Sequence, residues 1–268
     1  MPIFLFPIVF FLILLLCLQG GRYIGLRTRK DAETTRAAAA VDSVVFAVLG
    51  LLVAFTFTAA AGRFDERRRL VIDQANAVGT AWLRTDLLPD SDRPAVRARI
   101  KRWIQCALDA SRKPVGSTES TAALEEAFRL QDEVWRLVIA SYERDSRPAV
   151  AMQLIPALNE WFDLTTTRLE IARMRLPVLV TATLLALAVI ASVLVGFEMS
   201  SKAQQNWLHV LLFTGTVAFA IFVIFDLANP REGLVTIDAS DQVLFDLLHS
   251  FESAQSAPAS ALTLPAPR

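Results

Sequence analysis

Four stretches of the chain are almost wholly apolar, and the polar residues fall into the gaps between them. They are IFLFPIVFFLILLLCL (Ile3 to Leu18), VVFAVLGLLVAFTFTAAA (Val44 to Ala61), Leu176 to Phe197, and Trp207 to Leu227. At about 1.5 Å per residue, helices of this length cover the roughly 30 Å of bilayer hydrocarbon. Each run is therefore predicted to be a transmembrane helix. Two rival readings of the first run fail on local chemistry. A secretory signal wants Lys or Arg ahead of the run and an A-x-A-like exit, and neither is present. A lipid-modified cysteine wants small residues before it, and Leu16 precedes Cys17. The connection EMSSKAQQN between the third and fourth runs is short enough to force an antiparallel hairpin. Four spans put both termini and the long middle region on one side.

The middle region reads as helical throughout. Val71, Ala75, Val78 and Trp82 recur at i, i+4, i+7 and i+11, one face of a helix that continues the second run without a proline. Asp92 followed by Arg93-Pro94 marks a helix start. Val96, Ile100, Trp103, Ile104, Ala107 and Leu108 build its apolar stripe. After the Lys113 to Ser117 loop, Ser117 or Thr118 caps a helix carrying Leu124, Phe128, Trp135 and Val138. A last helix carries Leu154, Leu158, Trp161, Phe162 and Leu169 towards Pro177. Beyond the fourth span come a turn at Asn229 to Gly233, an extended piece at Leu234 to Ile237, and an amphipathic helix from Ser240 to Phe251. The Ala/Ser/Pro-rich tail is expected to be disordered. The plan is thus 1–61 for two spans with a basic connection, 62–175 for a soluble helical domain, and 176–228 for a transmembrane hairpin. A short C-terminal segment, 229–254, and a tail, 255–268, complete it.

The second run presents two distinct faces. Gly50, Ala54 and Thr58 lie at i, i+4 and i+8, a small-residue face that permits close approach of a neighbouring helix. Val48, Leu52 and Phe55 fall within about 60° of one another at 100° per residue, on the far side from it. By spacing alone these three either touch lipid or line an apolar constriction in an oligomer. The helix then leaves the membrane through Arg63, Phe64, Glu66 and the run Arg67-Arg68-Arg69. That run reads as a charged collar, able to meet anionic headgroups or to draw anions to a pore mouth.

Composition narrows the function classes. The 268 residues are 54% hydrophobic, and 27 Lys+Arg balance 27 Asp+Glu, so no net charge argues for nucleic acid. Mean hydropathy is +0.43, in the range of a membrane protein. His209 and His249 have no neighbours at metal-ligand spacing, and the two cysteines, Cys17 and Cys106, are not in a C-x-x-C pattern. No Gly-rich phosphate loop, G-x-S-x-G or H-E-x-x-H occurs. Glu125-Glu126 and Asp132-Glu133 fall on the polar side of a helix, where carboxylates stay solvated. His209 and Asp226 sit at the ends of the fourth span, as interface markers. No catalytic residue, metal or cofactor is expected, and the chain is not read as an enzyme.

The segment AAAGRFDERRRLVIDQANAVGTAWLR resembles the second helix of bestrophin-type anion channels. The matching positions are Arg63, Phe64, Glu66, Arg68, Arg69, Leu70 and Asn76. The chain as a whole resembles the bacterial bestrophin-like membrane family, through GLLVAFTFTAAAGRFDERR, IDQANAVGTAWLRTDLLP and the proline turn after the fourth span. Two features depart from the channels: Asp65 follows Phe64 where they have a second aromatic, and no acidic calcium clasp is evident. The resemblance implies an all-α fold of four transmembrane helices, the second and third extended into a soluble helical bundle. It also implies a homo-oligomer in the cell (inner) membrane, with small anions passing a constriction at Val48, Leu52 and Phe55. The alternative function is a non-conducting scaffold or regulator whose helical domain binds a protein partner.

Orientation rests on basic residues near the spans. Arg63, Arg67, Arg68, Arg69, Arg168, Arg173 and Arg175 flank the middle region. Arg22, Arg27, Arg29, Lys30 and Arg36, with Lys202, lie on the opposite side. Five basic residues after an uncharged N-terminus place the first connection in the cytoplasm, whereas the bestrophin plan places the middle region and both termini there. Seven against six does not decide between them. The lean is to a cytoplasmic middle region, and labelling of Cys106 with an impermeant maleimide is the test.

Overall fold

A computed structural model describes residues 5–28, 32–113, 116–174, 176–200, 206–229, 233–234 and 238–256. Eight α-helices account for most of them: α1 (Leu5–Thr28), α2 (Ala32–Arg84), α3 (Arg93–Ser111), α4 (Thr118–Arg144), α5 (Ile155–Arg173), α6 (Val178–Met199), α7 (Trp207–Ala228) and α8 (Asp238–Ser256). No strand occurs among the described residues. Helices α1, α2, α6 and α7 contain stretches long and apolar enough to cross a membrane. At 53 residues, α2 is unbroken for about 80 Å, so the apolar run and its polar continuation are one helix. On the third span the helical path is interrupted: α5 stops at Arg173, Met174 is extended, and α6 starts after Pro177. Proline disfavours helix for the residue before it and donates no N–H, which accounts for the break.

The chain divides into two compact units, Met1–Asp65 with Arg175–Thr236 and Glu66–Met174 with Ile237–Arg268. The first unit holds the apolar helices. Its core gathers Phe10, Leu14, Leu49, Ala60, Leu184, Ala188, Ala191, Ala218, Ile221 and Ile224. Helix α1 lies directly on α6, and small residues let it do so. A Cβ built on Gly21 would overlap the Val193 carbonyl, and one on Gly196 would overlap the carbonyl of Leu18. Gly25 meets Ser200 in the same way one turn further on. Close backbone packing of this kind is the main source of helix association where burial from water contributes nothing. At the other end of α7, the buried Asp226 carboxylate accepts the Leu234 N–H at 2.7 Å and leaves no room for a side chain at Gly233. Asp226 thus fastens the turn after the fourth span.

The second unit is a helical domain around Trp103 and Trp161, both fully buried and edge-to-face at 5.0 Å. Val71, Ala75, Val78 and Trp82 of α2 are buried as the periodicity predicts. Pro94 sits in the first turn of α3, and Ser117 caps α4 by accepting the Ser120 N–H at 3.2 Å. The α4 stripe differs from expectation. Its buried face is Ala127, Leu130, Gln131, Val134, Val138 and Ser141, while Leu124, Phe128 and Trp135 are half-buried. The face is rotated by about 75° because a polar side chain, Gln131, turns inward.

Gln131 turns inward for a hydrogen bond. Its Nε2 donates to Thr165 Oγ1 at 2.8 Å, Gln74 Nε2 donates to the same oxygen at 2.9 Å, and Thr165 Oγ1 donates to Trp161 O. Arg168 extends the chain, donating to Gln74 Oε1 at 2.6 Å and to Asp241 Oδ1 of α8 at 3.1 Å. One hydroxyl therefore joins α2, α4 and α5. Thr165→Val strands two buried amide donors and is expected to cost about 2–4 kcal/mol in chemical denaturation. Thr166→Val, at an exposed neighbour, should stay within about 0.5 kcal/mol.

Helix α8 starts two residues earlier and ends five later than its apolar pattern indicated. Leu244, Leu248 and Phe251 are buried, and Phe251 stacks on Trp82 at 4.0 Å. Residues 235–237, most of the expected extended piece, and all but the start of the tail lie outside the described residues.

At the start of α3, Asp92 pairs with Arg144 at 2.6 Å. The Ser141 hydroxyl, then Arg144 and Ser91, hold its carboxyl below the usual carboxylate range. Ser141 faces it without hydrogen-bond geometry, so the ion pair is the firm contact. A depressed carboxyl stabilises above its unfolded pKa and loses that contribution as pH falls through the folded value. The melting midpoint of Asp92→Asn should therefore fall less than wild type below about pH 4.

Candidate pore-lining face

The apolar part of α2 is held by one face and open on the rest. Leu49, Thr56 and Ala60 are buried, with Phe46, Leu52 and Val53 packed beside them. The Thr56 hydroxyl donates to Leu52 O at 2.6 Å, and Thr58 donates to Ala54 O at 2.9 Å. Both hydroxyls are thereby satisfied by the preceding turn and are tolerated in an apolar helix.

The open face decides what the candidate constriction can be. Phe55 is 65% exposed, Val48 45% and Leu51 56%, whereas Leu52 is half-buried against the core. Val48 and Phe55 therefore share an open surface, and Leu52 turns partly away from it. Val44, at 62%, extends the same surface one turn earlier. Val44, Val48, Leu51 and Phe55 alternate by four, three and four residues, so they form a stripe along one side of the helix.

Gly50, Ala54 and Thr58 are exposed as well, and a Cβ at Gly50 would meet nothing within 4 Å. No described helix of the same chain uses this face. Within the chain, close approach of this kind occurs at Gly21, Gly25 and Gly196. Its signal was in the sequence, since G-R-Y-I-G (Gly21 to Gly25) is a small-x-x-x-small pattern in the last turns of α1.

The basic collar is not uniform. Arg63 is half-buried and Phe64 buried in the first unit. In the second unit Glu66, Arg68 and Arg69 are exposed, and Arg67 is buried, its Nη2 donating to Met174 O at 3.0 Å. Arg67 thus caps the end of α5 and leaves Arg68 and Arg69 as the solvent-facing cations of the run. Arg69 lies 3.5 Å from Asp73, an exposed pair of small energetic weight. Cys106 is 4% exposed, and burial pushes its thiol up from the ordinary value, so it is a poor maleimide target. That removes it as a topology label. Among the described residues no three metal-ligating side chains converge.

An all-α membrane protein with four apolar helices and a soluble helical domain is the class that these features define. The Bestrophin-like domain matches residues 8–241, and the chain belongs to that family. Solved structures agree on the fold. A bacterial bestrophin homologue from Klebsiella pneumoniae superposes with a TM-score of 0.68 at 14% identity, covering 90% of this chain and 98% of that one. A point mutant of that homologue gives 0.67 at 13% identity over 93% and 100% of the two chains. The comparison with curated proteins finds no match.

Proposed function

We propose that the protein is a homo-oligomeric channel of the cell (inner) membrane for small anions, with α2 around the pore. The observation that carries this reading is the unpartnered apolar stripe Val44, Val48, Leu51 and Phe55 on a helix whose opposite side is firmly packed. In this reading Leu51 takes the place that spacing gave to Leu52, beside Val48 and Phe55. Apolar rings of this kind gate by dewetting, and one ring residue per helix requires several copies around an axis. Gly50, Ala54 and Thr58 then receive the neighbouring copy's helix, and Arg68 and Arg69 raise the local anion concentration at the inner mouth.

Reconstitution into liposomes tests it. Chloride efflux that scales with protein content, and that stops when Leu51→Cys is modified by a bulky thiol reagent, is the expected result. Absence of efflux from a verified oligomer would favour the scaffold reading. A groove of about 660 Å³ lined by Asp73, Asn76, Asn159, Glu160 and Asp163 would then be the surface to examine for a basic partner.

A further inference from the structure

Along the first span, two polar side chains each hold a buried nitrogen with no partner among the described residues. Gln19 and Arg22 stand three residues apart on α1, which brings their side chains to about 5–6 Å of each other at Cβ. Gln19 Nε2 and Arg22 Nη1 are both buried, and neither finds an acceptor among the described residues. Gly21, at the tight crossing with α6, lies in the same turn, and both residues are half-buried there. Arg22 lies roughly 26 Å along α1 from Leu5, near the edge of a bilayer's hydrocarbon of about 30 Å. One N–H group of a guanidinium and one of an amide are thus withdrawn from water three residues apart at that depth, each without an acceptor among the described residues. A group bearing several negative oxygens meets that need, and a fork of N–H groups suits phosphate above all.

We infer that Gln19 and Arg22 bind a phosphate oxyanion at this end of α1, with the Arg22 fork on two oxygens and the Gln19 amide on a third. Arg27, one turn further on, is already engaged on the Tyr23 ring at 4.3 Å, so it adds field rather than a contact. The phosphate can come from a lipid headgroup or from solution. The assignment does not depend on whether the chain conducts.

The test uses the full chain in phosphate-free maltoside detergent, with the melting midpoint as readout. Three additions are compared: dioleoyl phosphatidylglycerol, a glucosyl diacylglycerol with the same acyl chains, and inorganic phosphate. At a hundredfold excess over Kd, the phospholipid should raise the wild-type midpoint by about 5 °C, and the glucosyl lipid should leave it unchanged. A shift with inorganic phosphate as well assigns a soluble oxyanion; a shift with the phospholipid alone assigns a headgroup. Arg22→Gln should lose at least half of the shift, and Arg27→Gln should keep most of it. Should Arg22→Gln not fold, Gln19→Leu carries the same expectation of a halved shift. An equal shift from the glucosyl lipid, a full shift in Arg22→Gln or Gln19→Leu, or an equal loss in Arg27→Gln overturns the assignment.

Discussion

Gly196→Leu is expected to remove nearly all folded protein from membranes. The position has backbone on its open side: a single methyl group there already overlaps the Leu18 carbonyl and crowds the Arg22 N–H. Flexible side chains could give way, but two helix backbones can only move apart. Separation of α1 from α6 would also unseat Gly21 from Val193 and open the core around Leu14, Leu18, Ala188 and Ser192. Overpacking a tight core costs about 1–3 kcal/mol, and backbone displacement takes it higher, against a typical total of about 5–15 kcal/mol. Gly20→Leu is the matched control, because nothing lies within 4 Å of that position. Size-exclusion chromatography of detergent extracts should show a normal peak for Gly20→Leu and aggregate or no protein for Gly196→Leu. Gly50→Leu separates the two kinds of glycine further. It should leave the single chain folded and weaken the assembly.

Phe55→Ala is expected to raise chloride efflux per unit protein on the order of tenfold, the equivalent of about 1.4 kcal/mol of barrier. The ring is 65% exposed in the single chain, so its truncation leaves no cavity inside the fold. Leu52→Ala is the informative contrast. Leu52 packs partly into the core, so its loss should show as reduced stability, by about 1–3 kcal/mol, with little change in efflux. Together the two variants show whether Leu52 lines the constriction with Phe55. A large gain in efflux from Leu52→Ala would restore the register that spacing alone suggested.

Long-period features were legible in the sequence. Apolar runs of bilayer length can satisfy their backbone only as helices, so four spans and an all-α fold follow from hydropathy. The Val71, Ala75, Val78 and Trp82 stripe and the Ser117 cap were readable for the same reason: each obeys a local rule. What escaped was set by partners far away in the chain. Leu51 and Leu52 are equally apolar neighbours, and only the packing of Leu49, Thr56 and Ala60 against other helices decides which of them stays open. Gln131 lies off the apolar pattern of its helix, and the Thr165 hydroxyl, 34 positions later, supplies the bond that turns it inward. Arg67 looked like one more cation in a run, and Met174 O, 107 positions away, takes it out of the collar. The Gly21 to Gly25 pattern was visible, but which small-residue face is used within the chain depends on where α6 lies.

A pore of this kind requires α2 to face copies of itself across an axis, and cysteine cross-linking measures that directly. The protein, in membranes and with Cys17 and Cys106 replaced by alanine, would carry a single Phe55→Cys or, as a control, Leu212→Cys on the exposed side of α7. On oxidation, Phe55→Cys is predicted to give disulfide-linked dimers in most of the protein, and Leu212→Cys almost none. Cross-linking of Phe55→Cys no greater than that of Leu212→Cys would place the stripe against lipid and contradict the pore.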